Sequence, residues 1–341
     1  MMKMKWLVAV VSWILSATAV VAQNAPVVVR VGYFPNVTHS QALVGRARGE
    51  FDKAVGSNAR IEWKTFNAGP SVIEALFAGA LDLAYVGANP TVNGFIRSRG
   101  EALRVIAGAT SGGASLVVRP GANINKPEDF HGKRIASPQL GNTQDVALRS
   151  WLAAHSLKLR EKGGDVQVIP IANPDQLNLF FKGEIDAAWA PEPWASRLVE
   201  EAGGRLFLDE RDLWPNGRFV TTNLIVSTKF LREHPDVVKK WLRAHVELTE
   251  WIRKSPPEAK QILNQQIRKD TGKALPSKVV ESSFSRIEVT YDPMRATLLR
   301  SAQAAYDLGL LGRQRPNLDE IYDLSLLNEV LREKKVNPIQ Y

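Results

Sequence analysis

The chain has no cysteine among its 341 residues, and that absence excludes several chemistries at once. No disulfide can brace the fold, no thiol can act as nucleophile, and no cysteine-ligated zinc site can form. No cysteine is present to carry a lipid anchor near the N-terminus. Histidine is scarce at five residues, none of them spaced as a metal-binding pair, and there is neither a nucleophile elbow nor a phosphate-binding glycine loop. An enzyme is therefore not expected, and neither is a cofactor or a metal. After the first 22 residues no apolar run approaches the ~20 residues of a membrane span. The 44 basic residues exceed the 35 acidic ones, for a formal charge of +9, but they are scattered among acids. No cluster of Lys and Arg interleaved with aromatics marks a nucleic-acid face, so the charge reads as solvated surface.

What is present begins with an export pattern. Lys3 and Lys5 precede an apolar stretch running from Trp6 to Val21, and Val20, Val21 and Ala22 offer small residues to a signal peptidase. Residues 1–22 are expected to be a cleaved signal peptide, with Gln23 starting a soluble periplasmic protein that is not a lipoprotein.

From Val27 onward strand and helix signals alternate. Segment 27–32 reads as a buried strand, 41–55 as a helix, 61–66 as a strand, 71–78 as a helix and 81–86 as a strand, the βαβαβ order of a parallel sheet covered by helices. The pattern returns about 104 positions later. Arg134 falls on Arg30, Pro174 on Pro70, Phe181 on Phe77, Gly183 on Gly79 and Asp186 on Asp82, without a gap. Two related α/β lobes are the expectation. Strand-like segments 114–119 and 222–227 lie where the lobes would join and, if side by side, would form a two-strand hinge. Lobe I then comprises 23–113 plus 222–341, lobe II comprises 114–221, and the Trp241 and Leu242 stripe of the helical tail packs on lobe I.

Ligands in open parallel sheets sit beyond the C-terminal strand ends, where helices begin. Six such junctions can be read, three per lobe. They place Asn36, Thr38 and His39 in the first, Gly69, Pro70 and Ser71 in the second, and Asn89 and Thr91 in the third. Gly141, Asn142, Thr143 and Gln144 fall in the fourth, Asn173 opens the fifth, and Glu192 and Trp194 fall in the sixth, with Thr222 at the start of the second linking strand. The first turn of a helix leaves N–H groups unpaired and carries about half a positive charge, so converging helix starts suit a small anion. Ordinary N-capping is the alternative use of the same Ser, Thr and Asn residues. His39 can contact ligand or pack, and Trp194 can wall an apolar tail, whereas Trp189 reads as core. Glu192 either pairs with a base such as Arg218 or receives an amino group on the ligand. Whether Arg119, Arg134 or Arg218 faces the cleft is open.

Several motifs carry a resemblance. They are Val-Gly-Tyr (31 to 33), Ala-Gly-Pro (68 to 70), Gly-Ala-Leu-Asp-Leu-Ala (79 to 84), Lys-Pro-Glu-Asp-Phe-His-Gly-Lys-Arg-Ile-Ala (126 to 136) and Pro-Glu-Pro-Trp (191 to 194). Together the segments resemble the nitrate/sulfonate/taurine family of ABC-transporter solute-binding proteins, closest to its aliphatic-sulfonate branch. The resemblance implies an α/β type II periplasmic-binding-protein fold with mixed sheets. It implies that the loops after Tyr33, Phe66, Val86, Ser137 and Trp189 hold a small organic anion, an aliphatic sulfonate, for a membrane permease and its ATPase. Nitrate, taurine or an aromatic sulfonate, and a periplasmic sensor role, are the alternatives. A monomer without cofactor or nucleic acid is expected.

Overall fold

Aliphatic and β-branched runs set the strands of the computed structural model, which describes residues 26–341. The export segment 1–22 lies outside the described residues. The strands are Val27–Tyr33 (β1), Ala59–Thr65 (β2), Leu83–Val86 (β3), Leu103–Gly112 (β4), Ala114–Val118 (β5) and Arg134–Ser137 (β6). Gln167–Pro170 (β7), Ala187–Pro191 (β8), Arg205–Asp209 (β9), Val220–Ser227 (β10) and Ile287–Val289 (β11) complete the set. They form two mixed sheets, in the orders β11-β4-β10-β3-β1-β2 and β7-β6-β8-β5-β9. β3-β1-β2 and β8-β6-β7 are parallel, with β3 and β8 fully buried and the edge strands β2 and β7 partly exposed.

The repeat survives in atomic detail. Val31 pairs with Leu83 and Gly32 with Ala84; 104 positions on, Ile135 pairs with Ala187 and Ala136 with Ala188. In each lobe an aspartate binds the start of the first strand. Asp82 Oδ2 accepts the Arg30 N–H at 2.8 Å, and Asp186 Oδ2 accepts the Arg134 N–H at 2.9 Å. The paired arginines also reach the carbonyls of Gly79 (3.0 Å) and Gly183 (2.9 Å). These bonds tie Arg134, and with it Arg119, to Asp186, away from any cleft.

The hinge departs from the expected pairing. Segments 114–119 and 222–227 do not run side by side: β5 lies in the second sheet between β8 and β9, and β10 lies in the first between β3 and β4. The chain crosses between lobes at Gly112–Gly113, both with positive φ (73° and 76°), and returns through residues 210–219. Side chains at the glycine pair would be strained by that backbone and would also strike neighbours: a Cβ on Gly113 would come within 2.4 Å of Ile287. The expected single helix 41–55 is also two, Ser40–Arg48 and Glu50–Val55, separated by Gly49 in the left-handed region.

The helical tail packs on lobe I as expected. Trp241 of Pro235–Lys254 stacks on Phe51 at 3.9 Å and joins the core of Val29, Val31, Leu83 and Leu224. No helix among the described residues is long and apolar enough to cross a membrane.

Both lobes bury an aromatic polar group on the third strand of the repeat and satisfy it with a titratable side chain. Tyr85 O–H donates to Nδ1 of His245, whose Nε2–H donates to the Gly108 carbonyl. Trp189 is core, and its Nε1–H donates to Glu210, as does the N–H of Trp214. Burial pushes the Glu210 carboxyl up to about 7, outweighing the two indole donors that favour its charged form. The unfolded chain releases that proton near 4.5. The folded state therefore holds more protons between these values, so this contribution to stability is present below about 4.5 and lost as pH rises through about 7. Glu210→Gln is expected to gain stability relative to the native protein from about pH 5 to about pH 8, as read by urea denaturation. A difference that stays constant across that range contradicts the assignment.

Candidate ligand-binding site

Loops at the C-terminal ends of the parallel strands meet across the lobe interface and close around a small cavity. Phe34, Asn36, Thr38, His39, Asn67, Gly87, Thr221 and Thr222 line it from lobe I, and Asn142, Thr143, Gln144, Asn173 and Pro191 from lobe II. The non-atom space within it, part of it open to solvent, is ≈ 320 Å³. The lobes touch at its rim. Trp194 Nε1–H donates across the interface to Asn36 Oδ1 at 3.0 Å, and the Asn89 N–H reaches Thr143 Oγ1 at 3.4 Å.

The wall is built from helix starts. Helices Ser40–Arg48, Gly69–Phe77, Ala88–Arg97, Thr143–Ala154 and Asn173–Phe181 begin beside the lining loops, and none has a side-chain cap of its own. The N-capping alternative therefore does not account for the Ser, Thr and Asn residues there. First-turn N–H groups face this region, that of Asn89 bonded to Thr143 Oγ1, with the positive ends of the helix dipoles behind them.

The side chains around them are neutral: among the described residues no Lys, Arg, Asp or Glu lines the cavity. His39 is the one titratable lining group. Burial lowers its pKa to about 3, so the ring is uncharged at neutral pH. Its Nδ1 accepts the Phe34 N–H at 3.3 Å, which leaves the proton on Nε2 as a donor. Asn173 is 3% exposed, and its Oδ1 has no partner among the described residues. A buried polar atom left unpaired in this way is costly unless something occupies the cavity.

Of the expected site residues, Asn36, Thr38, His39, Asn142, Thr143, Gln144 and Thr222 come together here. The others lie outside the lining. Gly69 approaches Asn142 across the interface, Pro70 follows it in the helix, and Ser71 is exposed. The Asn89 side chain is held by Ser301, and Thr91 Oγ1 bonds back to the Gly87 carbonyl. Gly141 N–H donates to Asp145, which also holds Ser137 and Arg149. Trp194 braces Asn36.

Glu192 pairs with Arg286, at 3.1 Å, and not with Arg218, which is bound to Glu288. Its other oxygen accepts from the Ser196 N–H and the Ser283 O–H, so the carboxylate is fully buried and occupied. This cluster joins lobe II to the tail of lobe I beside the cavity. Phe34, Asn67, Gly87, Pro191 and Thr221 are lining residues that the sequence reading did not single out, although the first four lie in or near a junction it named and Thr221 precedes the linking strand at Thr222.

The model of the NMT1-like family matches residues 22–267, about seven-tenths of the chain. The chain belongs to that family. A taurine-binding periplasmic protein of Escherichia coli (strain K12) is 27% identical over 238 residues, covering 69% of each chain. Among solved structures, the alkanesulfonate-binding protein SsuA from Xanthomonas axonopodis pv. citri, bound to MOPS, superposes with a TM-score of 0.70 at 22% identity, over 85% of this chain and 96% of that one. The periplasmic nitrate-binding protein NrtA from Synechocystis PCC 6803 reaches a TM-score of 0.71 at 15% identity, over 91% and 90%. The fold is thus that of periplasmic binding proteins. These relatives are named for taurine, alkanesulfonate and nitrate.

Proposed function

We propose that this chain is the periplasmic substrate-binding component of an ABC importer, holding a small, permanently ionised organic anion of the sulfonate class between its lobes. The carrying observation is an interlobe cavity whose lining side chains are neutral and rich in donors, with the starts of five helices beside it. An anion with no proton to give suits a wall able to donate from every side, and helix dipoles supply the counter-charge. The Lys3 to Ala22 export pattern and the names of the relatives support a periplasmic location and delivery to a membrane permease. Closing of the lobes on ligand would generate the form that the permease recognises.

Thermal-shift titration against alkanesulfonates, nitrate and sulfate tests this reading. A ligand at about 100 times its Kd raises stability by about 2.7 kcal/mol, whereas no shift with any of these anions overturns it. Thr143→Ala is expected to weaken binding by about 0.5–1.5 kcal/mol, the worth of one neutral hydrogen bond. Because His39 stays neutral down to about pH 3 and a sulfonate stays ionised, affinity is expected to change by less than about threefold between about pH 5 and about pH 9. A steep rise in affinity on acidification would show that a histidine cation takes part.

A further inference from the structure

We infer that the cavity selects an amine-free anion and rejects zwitterionic aminosulfonates, an inference that rests on the proposed reading of the cavity as the ligand site. An aminosulfonate carries an ammonium group about two carbons from its sulfonate. Once buried, that group needs a carboxylate or a set of acceptors to replace its water. Among the described residues the lining has no carboxylate, and each acid adjacent to it in sequence is already engaged. Glu192, next to Pro191, is bound by Arg286, Ser283 and the Ser196 N–H. Asp145, next to Gln144, takes the Ser137 hydroxyl at 2.7 Å, the Gly141 N–H at 2.9 Å and Arg149 at 3.0 Å.

The field in the cavity works in the same direction. Five helices present their positive ends to it, and His39 offers an N–H donor on a ring that burial keeps uncharged. An ammonium group there meets repulsion without a counter-ion. Among the described residues, the one buried lining side-chain acceptor without a partner, Asn173 Oδ1, belongs to a neutral amide, and half a turn of that amide replaces it with a donor. By contrast, a hydrocarbon tail has apolar neighbours: the Phe34 ring, stacked on His39 at 4.5 Å, and Pro191.

Taurine and 1-propanesulfonate test the inference directly, since they differ only by ammonium against methyl at the end of a two-carbon linker. In calorimetric titrations of the native protein near pH 7.5, 1-propanesulfonate is expected to bind at least about tenfold more tightly than taurine. Taurine binding as tightly or more tightly overturns the inference while leaving the anion site intact. Failure of both, and of nitrate as well, overturns the anion-site reading itself. Asn173→Asp, checked for an unchanged melting temperature, is expected to shift the ratio at least about tenfold toward taurine. A ratio that does not move means that wall charge does not set the selectivity. Should that variant not fold, the comparison on the native protein decides alone.

Discussion

Gly87→Ala is expected to weaken anion binding at least about tenfold while both lobes stay folded. Gly87 has φ −70°, a conformation open to any residue, so alanine introduces no backbone strain. The obstacle lies across the interface: a Cβ at this position would come within 2.3 Å of Thr143 Oγ1 on the other lobe. The next nearest atoms, Thr143 Cβ at 3.4 Å and the Thr221 carbonyl oxygen at 3.6 Å, leave ordinary room. The methyl group therefore obstructs closure and little else. A tenfold loss corresponds to about 1.4 kcal/mol withdrawn from the closed form. Calorimetric titration measures it, and a melting temperature within about 2 °C of the native value for the ligand-free protein shows that the lobes are intact. Native affinity in this variant would mean that the ligand is held without the lobes meeting at Thr143.

Arg286→Ala is expected to destabilise the protein by about 3–5 kcal/mol. Glu192 is fully buried, and Arg286 is the base that neutralises it, so removing the guanidinium leaves a charge inside the protein without compensation. Ser283 and the Ser196 N–H remain as donors but carry no charge. The double variant Glu192→Gln with Arg286→Ala is expected to recover a large part of that loss, because the orphaned charge is gone. Urea denaturation of the two variants measures both. A single variant within about 1 kcal/mol of the native protein would show that the pair is dispensable. Because the pair also joins the lobes beside the cavity, its loss is expected to act on closure as well as on stability.

The repeat was legible because it is local and periodic. Arg30 and Asp82, with Arg134 and Asp186, recur at one displacement, and the same residues make the same main-chain bonds in both lobes. The junction loops were legible for the same reason: Gly, Pro, Ser, Thr and Asn mark the places where helices begin, and the cavity lies at those places.

The hinge was not legible. β4 ends in Ala-Thr-Ser-Gly, small residues without the alternation that marks a strand, and it is β4, not segment 114–119, that lies beside β10. Nor does sequence reveal which residue within a loop points inward. Gly87 matters through contact with a side chain 56 positions away, and Glu192 through a base 94 positions away. Such long-range pairs follow from how the lobes close, which no local pattern encodes.

The central claim is that two opposed lobes hold one anion through neutral donors at their helix starts. A crystal structure of the protein with 1-propanesulfonate tests it most directly. The account predicts sulfonate oxygens within hydrogen-bond distance of lobe I donors such as His39 Nε2 or Thr38 and of lobe II donors such as Thr143 or Asn173, with no Lys or Arg on the head group. A ligand held by one lobe alone, or by an ion pair with an arginine or lysine, would contradict it.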